Sequence, residues 1–365
     1  MTGAALASPL PASCPSRASA DLLRVVACLA VVAIHGGGAA TGTWQPGSPW
    51  DATLAAVTDQ VARFCVPIFV LLSGHALMAR RLERPGEGLA RFWQGRLHRG
   101  IWPLIVFSLL WLAIHAVIWH DWEPRLRQLP LQLVTGRTEY HLYFLPAILG
   151  CWLLFPLMAR LGPGRLLPLA LAWQAVLCLP TATWWPHLGL GEPAQRRDVL
   201  DAVLTLQWLP WFILGMWSAT RPPSGSSPGA RWASATAVVA TATWTVIDFL
   251  DAVAAGASVG AAQHFHRIPV TAFAMALWWA WRTWDAPLAQ IGDRGWIRRF
   301  AALTFAVYLI HPTILRAWDL TGIAQPQLRI LVALAGATLI AALLDRWLPR
   351  GRMAVGLEPR RPKKA

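Results

Sequence analysis

The sequence predicts an all-α protein, a polytopic membrane bundle of about ten transmembrane helices, and three observations carry that expectation. Hydrophobic residues make up 56% of the 365-residue chain and charged residues only 14%, where a soluble domain carries about 25% charged residues. Apolar runs that approach or reach about 20 residues, the length that crosses a bilayer as a helix, recur along the chain. The polar and basic segments between them are short, which suits a series of spanning helices and not a single soluble core.

In order, the expected spans are roughly 22–40, 57–79, 101–119, 141–159, 166–183, 201–219, 232–252, 267–281, 300–317 and 328–348. Residues 1–20, rich in Ala, Ser and Pro, precede the first apolar run without a charged start, and read as a disordered cytoplasmic leader. Residues 21–348 are expected to form one transmembrane domain. The Pro-, Gly- and Ser-rich stretch from Arg221 to Arg231 reads as a flexible linker within it. Residues 349–365 read as a basic cytoplasmic tail. Tryptophans such as Trp44, Trp50, Trp119, Trp122, Trp184, Trp185 and Trp284 fall near the expected helix ends, where an amphipathic indole suits the membrane interface.

The net charge of +14 comes from 32 Lys and Arg against 18 Asp and Glu, a balance that raises nucleic acid as a partner. Position argues against it. The basic residues collect in alternate connections, the positive-inside pattern, which excludes a nucleic-acid reading and places both termini in the cytoplasm of a multi-pass protein in contact with membrane lipids. The five cysteines are odd in number, contain no CxxC pair and mostly sit in apolar runs, as small buried hydrophobes.

Polar side chains inside apolar runs are the functional candidates. In the first span, Arg24 and His35 are eleven residues apart, which on a helix is about 1100° of rotation, so they share one face within roughly 20°. Along the axis they are about 16 Å apart. Because successive spans alternate direction, His35, Arg63, His141 and His311 are expected to converge at one depth, in the outer half. His35 reads as a general base able to take a proton from a hydroxyl, or as a satisfied core histidine. Arg24 reads either as a part of the site or as an end-of-helix charge paired with Asp21. His141 and His311 each lie close to a proline, which frees carbonyls and lines cavities.

On the inner side, Ser73 and Gly74 near the end of the second span permit close backbone approach, for packing or for a ligand. Arg96 and Arg99 precede the third span, where guanidinium forks suit phosphoryl oxygens or lipid headgroups. The chain carries no Walker or Rossmann glycine motif, HExxH or CxxC pair, and no metal is expected.

These residues carry a resemblance. Arg24 and His35, with ten residues between them, stand in Asp-Leu-Leu-Arg…Ala-Ile-His; Val66-Pro-Ile-Phe-Val-Leu-Leu-Ser-Gly74 follows; then come the basic run ending at Arg99, His141-Leu-Tyr-Phe-Leu-Pro146, and Tyr308-Leu-Ile-His-Pro312. In this order the segments resemble the acyltransferase-3 family of bacterial integral-membrane acyltransferases, most of all the O-acetyltransferases of surface glycans such as enterobacterial common antigen. The resemblance implies acetyl-CoA or another acyl-CoA as the donor on the cytoplasmic side of the bacterial inner membrane. It also implies a hydroxyl of an exported or lipid-linked glycan as the acceptor. On that reading His35 and Arg24 are catalytic, Arg96, Arg99, Ser73 and Gly74 hold the donor, and Arg63, His141 and His311 orient the acceptor. The rival expectation is a secondary transporter or glycan flippase, which also buries histidines and arginines around a midplane path; it would more typically show internal repeats, and none is evident.

Overall fold

The computed structural model describes residues 16–179, 204–221, 227–348 and 351–357. Among these residues every regular element is helical. Residues 1–15, 180–183, 201–203 and 358–365, which belong to the expected leader, two spans and the tail, lie outside the described residues.

Helix α1 (Arg17–Gly42) is the hub. It packs against α2 (Trp50–Ala62), α3 (Cys65–Glu83), α13 (Asp285–Gly292), α14 (Gly295–Asp319) and α15 (Pro326–Trp347). Its start is fixed by Ser16, whose hydroxyl accepts the Ser19 amide at 3.1 Å, an N-cap that satisfies one of the unpaired donors of the first turn. Residues 16–20 thus belong to the cap and first turn and not to a disordered leader. Near its other end the helix continues through Gly36-Gly37-Gly38, although glycine weakens helices by about 1 kcal/mol each. Packing explains the first of them: a Cβ at Gly36 would fall 2.9 Å from the Ile330 Cα of α15, so the bare backbone lets the two helices touch.

The expected span 57–79 is two helices, broken at Arg63 and Phe64. Pro67 supplies the reason. A proline ring clashes with the carbonyl four residues earlier and has no N–H to give it, and here that carbonyl belongs to Arg63. Regular bonding resumes at Ile68, whose amide donates to Phe64 at 3.0 Å. Beyond the break α3 lies flush against α9 (Leu204–Ala219), because Gly74 faces the Phe212 carbonyl and Gly215 faces the Leu71 carbonyl with no room for a side chain at either.

The rest of the bundle comprises α4 (Leu89–Ile114) with a π-turn at His115–Trp119, the short α5 (Trp122–Arg127) and α6 (Leu129–Thr135), α7 (Phe144–Leu161), α8 (Pro163–Leu177), α10 (Pro228–Ala254), α11 (Val259–Ala262) and α12 (Ile268–Thr283). Among the described residues, seven helical segments are long and apolar enough to cross a membrane, α2 and α3 counting together as one. Three more expected spans are helices of 15, 16 and 16 residues, α8, α9 and α12. At 1.5 Å per residue α8 and α12 reach about 24 Å or less, short of a hydrocarbon core of about 30 Å; α9 is described only from Leu204.

The segment after α15 differs from the expected tail. Residues 351–357 fold back onto the bundle through a short 3₁₀ turn, Arg352–Val355, that packs on α4. Leu357 is 2% exposed within the main core, and Gly356 sits against Phe305 and Leu309 of α14. Trp44, expected at the interface, is also buried, its indole donating to Thr53 at 3.1 Å and its ring against Phe249.

Candidate functional site

At the end of the bundle where α1 terminates there is a cavity of about 300 Å³. His35, Asp59, Arg63, Tyr140, Gln263, Arg316 and Arg329 supply its polar lining, and Ile34, Gly38, Ala39 and Leu315 complete it. Five parts of the fold meet here: the last turns of α1, the α2–α3 break, the turn before α7, the turn before α12, and the facing ends of α14 and α15.

The His35 ring is stacked on His311, with centroids 5.3 Å apart and planes 24° from parallel, and it leans on Tyr140 at 4.8 Å. Behind His311 lies His141, whose ring is 5.8 Å away. His141 comes from a turn and not from a helix. Gly136, at φ 70°, begins that turn, and the backbone of Leu142 and Tyr143 fills the space where a side chain at 136 would stand. The Tyr308 hydroxyl donates to the His141 carbonyl and fixes the turn to α14. His311 meets the Val307 carbonyl at 3.3 Å through Nδ1, while its Nε2 and both ring nitrogens of His141 are buried without a hydrogen-bond partner. An unsatisfied buried polar atom costs about 1–3 kcal/mol. Three such nitrogens lie behind His35.

Arg63 is held firmly. Its Nε and Nη2 meet Asp59 at 2.8 and 2.7 Å, its Nη1 donates to the Gln263 carbonyl, and the guanidinium lies 5.1 Å from the Phe265 ring. The Asp59 side chain is 1% exposed, so this is a buried pair. Arg329 donates to the carbonyl of Gly36, the residue after His35, at 3.1 Å and pairs with Asp319 at 2.9 Å. Arg316 meets Glu139 at 3.3 Å and lies 5.9 Å from the ring of Tyr140. Beside the cavity, burial first and then the neighbouring His264 push His266 down to about 3, and burial first, then Arg63 and Arg267, lower His264.

The structure thus brings together His35, Arg63, His141 and His311. The remaining candidates lie elsewhere. Arg24 pairs with Asp21 at 2.9 Å and does not line the cavity; eleven residues of helix, about 16 Å, separate it from His35. Ser73 accepts the Trp152 indole N–H at 2.8 Å, and the Arg96 guanidinium lies 5.5 Å from the same indole, so Trp152 joins two candidates from separate helices. Gly74 is occupied by the contact with α9 described above, which makes it a packing glycine. Arg99 is half-buried one helical turn beyond Arg96. His75, next to Gly74, sets its ring edge-on to Trp281 at 5.0 Å, and the Trp281 indole donates to Ser19 at the start of α1.

Sequence reasoning missed Asp59, Tyr140, Gln263, Arg316, Arg329 and Trp152. Asp59 had a legible signal, an acid four residues before an arginine in an apolar run. Arg316 and Arg329 stand near helix ends, where a charge has the pattern of a topology signal. Among the described residues no group of three or more His, Cys, Asp or Glu is placed to hold a metal, and Cys28, Cys65, Cys151 and Cys178 are free.

Comparison with known families matches residues 17–346 to the acyltransferase-3 family, described as an acyltransferase domain. No curated protein and no solved structure matches the chain.

Proposed function

The chain belongs to the acyltransferase-3 family of membrane acyltransferases, and on that premise we propose that it moves an acetyl or similar short acyl group from acyl-CoA to a hydroxyl of an exported or lipid-linked glycan. The observation that carries this reading is the cavity at the far end of α1, where His35 is exposed to a ligand-sized space and backed by His311 and His141. A cavity of about 300 Å³ is at the lower end of small-molecule sites and suits one sugar residue.

In this reading His35 accepts the proton of the acceptor hydroxyl as its oxygen attacks the thioester carbonyl. The tetrahedral intermediate then collapses, the C–S bond breaks, and His35 returns the proton to the departing CoA thiolate, so that ester and free CoA are the products. Arg63, with His141 and His311, shapes the acceptor side. The donor approaches from the opposite end, which we place in the cytoplasm with both termini. There Arg96 and Arg99 offer guanidinium groups to the phosphates of CoA, Trp152 and Ser73 set the position of Arg96, and Arg24 serves the donor end of α1. Gly74 contributes by letting α3 and α9 close up.

A direct test is to incubate the purified chain in detergent with acetyl-CoA and glycans extracted from the source membrane, and to follow acetyl gain by mass spectrometry. The reading expects acetyl-CoA-dependent acetylation of a glycan hydroxyl. Acetylation of none of the glycans, alongside intact CoA binding, would point to a different acceptor class.

A further inference from the structure

We propose that the acceptor bound in the His35 cavity carries an oxyanion, a carboxylate or a phosphate, next to the hydroxyl that is acylated, and that Arg316 and Arg329 receive it. The inference rests on the acyltransferase reading and narrows its substrate class.

The polar lining is lopsided. Arg63, Arg316 and Arg329 bring three guanidinium groups to it, whereas Asp59 is the one carboxylate among the lining residues. That carboxylate is already engaged: it accepts from Arg63, from Gln60 at 2.8 Å and from Gln263 at 3.4 Å. A neutral sugar presents hydroxyls that both donate and accept and carries no charge to set against three cations, whereas the acceptors beyond Asp59 are the neutral groups of Tyr140, Gln263 and His35. An oxyanion only accepts, and planar guanidinium forks match it in charge and geometry.

The three arginines are not equivalent. Arg63 has its Nε, Nη1 and Nη2 engaged by Asp59 and the Gln263 carbonyl, and its carboxylate partner lines the cavity with it. Arg316 and Arg329 instead have carboxylate partners, Glu139 and Asp319, that stand outside the lining; Arg329 gives Nη1 to the Gly36 carbonyl and Nη2 to Asp319, and the Nε of each of these two arginines has no partner. Arg316 is also 41% exposed on its side chain and meets Glu139 through Nη2.

Placement relative to His35 completes the inference. Arg329 holds the Gly36 carbonyl, one residue from the base, and Arg316 lies against Tyr140, the ring that touches His35. An anion held by Arg316 and Arg329 therefore lies beside residues that adjoin or touch His35. A hydroxyl on the same or the adjoining residue is then presented to His35.

The test uses the full chain in detergent with three probes, methyl glucuronide, glucose 1-phosphate and methyl glucoside. Two readouts are taken: thermal stabilisation by each probe, and acetyl transfer to each from acetyl-CoA. The expected result is stabilisation and transfer with at least one anionic probe, at a KM at least tenfold below that for methyl glucoside. Preference between the two anions assigns carboxylate or phosphate. Arg316→Gln should raise the KM for the preferred anion about tenfold with kcat within twofold, and Arg316→Lys should recover part of the loss. Equal stabilisation and transfer with methyl glucoside would overturn the anionic acceptor while leaving acyl transfer standing. Anion-specific stabilisation that Arg316→Gln abolishes, without transfer to any probe, would support the anion site and count against the acyltransferase reading.

Discussion

Arg63 and Asp59 form a buried pair at a helix break, with the guanidinium Nε and Nη2 at 2.8 and 2.7 Å from one carboxylate oxygen. Removing one partner of such a pair leaves an uncompensated charge and costs about 3–5 kcal/mol. Asp59→Ala should therefore lower the thermal midpoint in detergent sharply. The double variant Asp59→Ala with Arg63→Met should recover much of the loss. A double variant no more stable than Asp59→Ala would mean that the pair itself is not what holds the break.

The contact between α3 and α9 rests on two glycines, each against a carbonyl of the other helix. Gly215→Ala puts a methyl group into the Leu71 carbonyl, and overpacking of this kind costs typically about 1–3 kcal/mol. We expect less folded protein by size-exclusion chromatography, and a similar loss for Gly74→Ala. A loss of CoA affinity in Gly74→Ala protein that is fully folded would restore a direct donor role to that residue.

Most of the helix order was legible because hydropathy alone reports which segments leave water. The convergence of His35, Arg63, His141 and His311 was legible too, since alternating helix direction fixes relative depth. What the sequence reading missed has physical causes. The break at Arg63 follows from Pro67, but a proline near a helix start is also tolerated there, so the rule does not choose between the two. Arg316 and Arg329 looked like topology signals because a charge near a helix end has the same pattern whether it meets lipid headgroups or a cavity. The packing of Leu357 into the core is a tertiary contact of a short segment, which carries no periodicity to read.

Acid should loosen the turn before α12. His266 stays neutral in the fold down to about 3, whereas in an unfolded chain it takes a proton near the ordinary histidine value of about 6.5. Between those values the unfolded state binds more protons, so stability falls as pH falls. His264 is shifted in the same direction and adds to the effect. The thermal midpoint should drop between about pH 7 and 4.5, and His266→Phe, which keeps an aromatic ring against Trp208, should flatten the dependence. An unchanged slope in His266→Phe would assign the acid sensitivity to other groups.

At the end we propose for the donor, Arg96 lies against Trp152, which in turn donates to Ser73. Arg96→Glu places a negative charge where we assign a phosphate contact and should weaken CoA binding at least tenfold by isothermal titration. Trp152→Phe keeps the ring, removes the indole N–H, and should have a smaller effect. CoA affinity unchanged in Arg96→Glu would remove this arginine from the donor site.

His35 carries the central claim, and it can be tested by acyl transfer from acetyl-CoA measured alongside CoA binding in the same purified His35→Gln protein. Glutamine keeps a polar side chain of similar reach but is not basic, and loss of a general base reduces rate by about 10²–10⁴-fold. The predicted result is transfer reduced by at least about 100-fold with CoA affinity and thermal midpoint close to those of the parent protein. Parent-level acyl transfer by His35→Gln would contradict the account.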